Sequence, residues 1–209
     1  MNRRGGHLNQ IRIIGGQWRS RRLEFPDAPS LRPTPDRVRE TLFNWLAPVL
    51  PGARCLDVFA GSGALGIEAL SRGAAAVVFI EHDPVAMRAL RDNLARLKAE
   101  GGRVEPAEAL AWLRRPGTPF EIVFLDPPFD ADLLDPVCAA LETGGWLADC
   151  AWIYLETAAG RQPALPAGWT LHREKTAGMV AYRLARREIQ MGGTLRPAGG
   201  PVGLVAGAA

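Results

Sequence analysis

Lysine is nearly absent from this 209-residue chain: Lys98 and Lys175 are the only two among 25 basic residues. Alongside 23 glycines and 17 prolines, the arginine surplus reads as compositional bias of the coding sequence rather than selection for guanidinium chemistry. Cysteine is scarce as well. Cys55, Cys138 and Cys150 form no CxxC pair, and His7, His82 and His172 are scattered. That excludes a disulfide framework and a zinc-ligand spacing, and the odd number of thiols fits a reducing cytosol. Long apolar runs are missing: the longest, residues 74–80, falls far short of the ~20 residues a bilayer span needs. The N-terminal MNRRGGHLNQ has no signal-peptide stretch. The expectation is a cytoplasmic, monomeric protein without membrane segment or metal.

What is present is ordinary globular material, 47% hydrophobic and 22% charged, enough for one domain with a substantial core. The net charge of +3 is too small to argue for a polyanionic partner by itself. Its layout says more. Residues 1–40 carry nine arginines against four acids, a local +5 that leaves −2 for the body. Arg3 and Arg4 read as a solvated tail. Arg12, Arg19, Arg21 and Arg22 sit in a patterned segment and are either a polyanion-facing surface or a solvated face.

The pattern predicts a hairpin over residues 11–25, RII and QWRSRRLEF about a Gly15-Gly16 turn. Thr34-Pro35-Asp36 then starts a helix, with Thr34 as its cap and Pro35 at its first position. From residue 53 strands and helices alternate: ARCLDVF, AVVFIE, a short strand near Val104, FEIVFLD and AWIYLET, each followed by a glycine loop or an apolar stripe at helical spacing. Such alternation implies a doubly wound, mostly parallel α/β sheet. Alternation around Trp169 and Tyr182 adds a closing antiparallel hairpin. Residues 1–10 read as a flexible basic arm, 11–34 as a hairpin and linker that form the candidate polyanion-facing extension, 35–187 as the main domain and 188–209 as a disordered glycine-rich tail.

Gly61-Ser62-Gly63-Ala64-Leu65-Gly66 follows the first strand of this series and satisfies the dinucleotide pattern G-x-G-x-x-G, with Glu81 placed for ribose hydroxyls. Asp57, four residues before the loop, would repel a pyrophosphate. It suits a ligand bearing an amine or a sulfonium, which favours S-adenosylmethionine over a nicotinamide cofactor; the bland alternative is a helix-capping acid. Glu108 is placed either to accept from an adenine amine or to sit solvated at a helix start. Asp126-Pro127-Pro128-Phe129 lies at a strand exit, where ligands bind in such sheets. An exocyclic amine on a nucleobase is a poor nucleophile because its lone pair is delocalised. Asp126 and the Pro127 carbonyl can accept both of its N–H groups, and Phe129 offers a ring face to an extruded base. Transfer to that nitrogen is an in-line displacement that needs positioning and charge complementarity.

The motifs RIIGGQWRSRRL, RPTPDRVRETLFNWL, LDVFAGSGALGIEALSRGA, IEHDP, FLDPPF and LHREKTAGMVAYRL, in that order, resemble those of the bacterial small-subunit ribosomal RNA guanine-N2 methyltransferases, the small-subunit rRNA methyltransferase D family. The likeness runs from about Ile11 to Arg187. It implies a class I, Rossmann-like methyltransferase fold, S-adenosylmethionine as donor, and methylation of a guanine N2 amine in 16S rRNA on the 30S subunit or a late assembly intermediate. By that resemblance Asp57, Gly61 and Gly63 belong to the donor loop, with Phe59, Ala60 and Ser62 beside them. Glu81, His82 and Asp83 follow the second strand, and Glu108 and Ala109 the third. Asp126, Pro127, Pro128 and Phe129 form the catalytic loop, and Arg32, Thr34 and Arg37 flank it. Relatives can carry Asn where this chain has Glu108. Three other readings stay open: a DNA adenine-N6 or cytosine-N4 methyltransferase, for which the chain offers no target-recognition domain; a non-catalytic RNA-binding assembly factor; and a dehydrogenase.

Overall fold

The computed structural model describes residues 8–27, 34–128 and 132–188. Arg32, Phe129, the segment 1–7 and the glycine-rich 189–209 therefore lie outside the described residues.

Strands β1 (Leu8–Arg12) and β2 (Arg22–Pro26) form an antiparallel ribbon that starts three residues earlier than the sequence pattern suggests. After α1 (Asp36–Leu46), the alternating series runs β3 (Arg54–Asp57), α2 (Ala64–Ser71), β4 (Ala76–Glu81), α3 (Pro84–Leu97), β5 (Gly102–Pro106), α4 (Ala109–Leu113), β6 (Phe120–Leu125), α5 (Leu134–Thr143) and β7 (Leu147–Ala158). A final hairpin, β8 (Trp169–Ala177) and β9 (Val180–Glu188), closes the sheet. The seven-stranded sheet has the order β5-β4-β3-β6-β7-β9-β8, parallel through β7 and antiparallel from β7 to β9 and β8.

Alternation along each strand divides the core into two layers. Cys55, Val77, Phe79, Ile122, Phe124 and Tyr154 face α1, α2 and α3, where Phe43, Ile67 and Leu90 meet them. Leu56, Ile80, Val123, Leu125, Ile153 and Leu155 face α4 and α5, against Trp112, Val137 and Leu141. Connections leave β3 towards β4 on one side and return to β6 on the other. The carboxyl ends of β3 and β6 therefore flank the crevice at which doubly wound sheets bind ligands.

Two local expectations fail for identifiable reasons. Gly15-Gly16 is not a tight turn: residues 13–21 separate the two strands as a loop packed on the end of α2. There Gln17 N–H donates to the Ser71 carbonyl at 2.7 Å and Ser71 Oγ to the Gly15 carbonyl at 2.6 Å. At Gly16, φ is +75° and a Cβ would run into the Ser71 carbonyl, so close docking, not chain reversal, is what requires glycine. Nor does Thr34 cap α1. The helix begins at Asp36 with Pro35 in the cap position and no side-chain cap bond; the Thr34 hydroxyl is drawn instead into a buried acidic cluster.

The ribbon is fastened to the body. Ile11, Ile13, Leu23 and Phe25 are buried in the same layer as α1, α2 and α3. Asn93 on α3 exchanges two bonds with the Glu24 backbone, at 3.1 and 2.8 Å. Glu68 on α2, fully buried, accepts from Ile14 N–H at 2.8 Å, Gly15 N–H at 2.7 Å and Arg72 Nε at 2.7 Å. Arg39 on α1 is also fully buried and is the hub: it pairs with Asp36 at 2.7 Å and Glu68 at 3.4 Å and donates to the carbonyls of Arg12 at 2.8 Å and Thr34 at 3.2 Å. Neither Arg39 nor Glu68 stands out in the sequence, because both ride on helices whose apolar stripes hide them.

Candidate active site

Three strands of the parallel core, β3, β4 and β6, run into an acid at their carboxyl ends. Asp57 closes β3, Glu81 closes β4, and Asp126 follows the last residue of β6. Leu125 and Leu155 are the last register pair between β6 and β7, so Asp126 and the next residue of β7, Glu156, stand side by side. Asp57, Glu81 and Glu156 are buried and Asp126 is half-buried. Among the described residues no lysine or arginine pairs with Asp57, Asp126 or Glu156.

The glycine loop is organised by the first two acids. Asp57 Oδ2 accepts from Gly66 N–H at 3.0 Å, so it does restrain the start of α2 as well as facing the crevice. Glu81 Oε2 accepts from Gly61 N–H at 2.8 Å, and its Oε1 from His82 and Asp83 N–H at 2.8 Å each. Gly63 holds φ at +77°, and a Cβ at Gly66 would collide with the Phe79 ring, so the repeated glycines also seat α2 against β4. Burial pushes the Asp57 carboxyl up to about 7 from its ordinary 3.8; the Gly66 N–H opposes the shift and the neighbouring Glu81 adds to it. A desolvated carboxylate with no counter-ion is the donor set that a cationic, amine-bearing ligand completes.

Around Asp126 the chemistry is that of a coupled acid pair. Thr34 Oγ1 lies 2.8 Å from Glu156 Oε1 and 3.3 Å from Asp126 Oδ2, and the Tyr154 hydroxyl donates to Glu156 Oε1 at 2.7 Å. Burial, then the proximity of Glu156 and of Asp57, holds the Asp126 carboxyl well above the usual carboxylate range, against the Thr34 hydrogen bond. Burial raises Glu156 too, opposed by its bonds from Tyr154 and Thr34. Pro127 and Pro128 add carbonyls and no N–H donors.

The sequence-predicted residues divide accordingly. Asp57, Ala60, Gly61, Ser62, Gly63, Glu81, Asp126, Pro127, Pro128 and Thr34 converge on the carboxyl edge of the sheet. Phe59 is half-buried and packs on the α4–α5 side. Asp83 caps α3, accepting from Val85 and Ala86 N–H at 2.9 and 2.7 Å, and Glu108 caps α4, accepting from Ala111 N–H at 2.8 Å. Their carboxylates thus serve helix starts in this structure; Ala109 is buried at the first position of α4, and His82 is exposed. Arg12, Arg19, Arg21, Arg22 and Arg37 are exposed. Arg12 reaches Asp36 at 3.4 Å, Arg21 the Arg96 carbonyl at 3.0 Å and Arg22 the Gln10 side chain at 2.9 Å. Sequence reasoning missed Glu156 and Tyr154. The signal was available: AWIYLE ends in an acid just as AVVFIE and FEIVFLD do.

This sheet order, with a glycine loop after β3 and acids at the carboxyl ends, defines a class I methyltransferase fold. The chain matches the model of the family described as "Conserved hypothetical protein 95" over residues 11–186, and it belongs to that family. It is 59% identical over 182 residues to ribosomal RNA small subunit methyltransferase D of Escherichia coli, covering 87% of this chain and 92% of that protein. With the protein of the same name from Haemophilus influenzae it shares 46% over 179 residues, 84% of this chain and 93% of the relative. The solved Escherichia coli structure of yhhF, named as a methyltransferase, superposes with a TM-score of 0.82 at 58% identity, covering 87% of this chain and all of that one (100%).

Proposed function

We propose that the protein methylates the exocyclic N2 amine of a guanine in 16S rRNA of the 30S subunit or a late assembly intermediate, with S-adenosylmethionine as donor, acting as a cytoplasmic monomer. The observation that carries this reading is the position of Asp126-Pro127-Pro128 beside the uncompensated Asp57 across the β3–β6 crevice. The similarity over most of the chain to proteins named ribosomal RNA small subunit methyltransferase D supports the RNA substrate over a DNA amine.

Asp57 and Glu81 would hold the donor, the first through its cationic amine-bearing end and the second through the ribose hydroxyls. When bound, S-adenosylmethionine supplies a methyl group on a positively charged sulfur. The chain's own part is to present the amine. Asp126 and the Pro127 carbonyl accept its two N–H groups, which draws the nitrogen towards sp³ geometry and aims its lone pair across the crevice. Once methylated the nitrogen is cationic and strongly acidic and gives its proton to the Asp126 carboxylate or to water, so Asp126 needs position rather than strong basicity. The exposed arginines of the ribbon supply phosphate contacts, and the 30S particle supplies much of the specificity.

Incubating the protein with methyl-labelled S-adenosylmethionine and 30S particles from a strain lacking the modification is expected to label 16S rRNA, with N2-methylguanine at one mapped position. Label in duplex DNA and in no ribosomal particle would overturn the proposal.

A further inference from the structure

Glu156 lines a small cavity with Pro127, Pro128, Leu134, Thr157 and Arg161. It is 3% exposed, yet the described residues give it no cationic partner: Arg161 turns to Asp132 at 2.6 Å. Its Oε1 receives both available hydroxyls, from Tyr154 at 2.7 Å and Thr34 at 2.8 Å, and no donor among the described residues meets its Oε2. The two prolines bring no N–H. Asp126 stands beside Glu156 in the strand register, so Asp126, the Pro127 carbonyl and Glu156 form a row of acceptors at the strand ends, while Arg161, held by Asp132, is the cation of the cavity lining.

Among amine-bearing nucleobases one edge matches such a row. Guanine presents N1–H directly beside its N2 amine, three hydrogens in succession. Adenine and cytosine present a ring-nitrogen lone pair beside the amine, which would face a carboxylate oxygen with no hydrogen between. We infer that Glu156 accepts the N1–H of the target guanine while Asp126 and the Pro127 carbonyl hold its N2 amine, which makes Glu156 the residue that selects guanine. The register placing Glu156 next to Asp126, and the shared Thr34 hydroxyl that holds both, fix the spacing of the acceptors. The inference rests on the reading that the substrate is a guanine N2 amine, and it assigns the discrimination to one side chain.

The test uses 30S particles reconstituted with 16S rRNA carrying either guanine or 2-aminopurine at the methylated position. 2-Aminopurine keeps the N2 amine but replaces N1–H with a lone pair and lacks the O6 carbonyl, so the change of preference in Glu156→Gln, not the wild-type preference alone, assigns the effect to Glu156. The wild-type protein is expected to prefer guanine by about 10²-fold in kcat/KM, the usual penalty for leaving a buried acceptor unpaired. Glu156→Gln can turn its amide N–H to a ring nitrogen, so it should lose activity on guanine and lower the preference at least about tenfold, with donor affinity unchanged. Glu156→Asp, which only retracts the carboxylate, should slow guanine without gain on 2-aminopurine. Equal wild-type rates on the two bases overturn the inference without any variant, as does an unaltered preference in Glu156→Gln. Absence of transfer to guanine by the wild type, by contrast, removes the functional reading beneath it.

Discussion

Asp57 illustrates at residue scale how the site sets function against stability. Its carboxyl, pushed up to about 7 from 3.8, binds a proton in the folded chain that the unfolded chain releases between those values. Ligand-free stability should therefore fall as pH rises from about 4 to about 7 and level off above. Thermal melts of Asp57→Asn, whose amide oxygen can still accept from Gly66, are expected to show a shallower decline and a melting point about 5 °C higher at pH 8. Calorimetry should show its donor binding lost. Wild-type donor affinity should tighten with pH up to about 7, because binding a cation requires the charged acid. Asp126 separates cleanly from this role: Asp126→Ala is expected to reduce turnover by about 10²–10⁴-fold while leaving donor affinity nearly intact. If affinity collapses together with turnover, Asp126 belongs to donor binding.

At the scale of elements, the segment between β1 and β2 is held by Ser71 and by one buried acid, Glu68. Truncating it as Glu68→Ala leaves Arg39 without one of its anions and strips acceptors from the Ile14 and Gly15 N–H groups. The expected cost is about 3–5 kcal/mol in chemical denaturation; a loss below about 1 kcal/mol would mean that apolar packing alone seats the ribbon. The same contrast explains what was legible in the sequence. Strands such as FEIVFLD and AVVFIE announce themselves because buried parallel strands are continuous apolar runs ending abruptly in polar residues. The G-x-G-x-x-G loop was visible because glycine spacing is itself the signal. Thr34 was misread as a helix cap because a cap and a site residue look alike before a proline; the pull of Glu156, distant in sequence, decides. Arg39 and Glu68 were invisible because pairing between helices leaves no periodic trace, and the docking of Gly16 on Ser71 mimics a turn.

For the whole molecule, the uneven charge becomes a spatial arrangement: an arginine-bearing ribbon at one end of the chain and uncompensated acids at the carboxyl edge of the sheet. Replacing Arg19, Arg21 and Arg22 with glutamine should weaken particle binding and flatten its dependence on salt, by about 0.7–0.9 in the log–log slope for each phosphate no longer neutralised. An unchanged slope in filter-binding titrations would leave these side chains merely solvated. The hub at Arg39 bears on how small this protein can be made. One guanidinium holds the backbone of both the first strand and the site threonine, and four apolar side chains of the ribbon lie in the common core. Cutting the chain back to α1 would thus open a gap in the interior and free Thr34 from its tether. The smallest fragment that keeps the fold and an aligned Asp126 begins at the ribbon, so the arginine-bearing ribbon cannot be exchanged as a cassette.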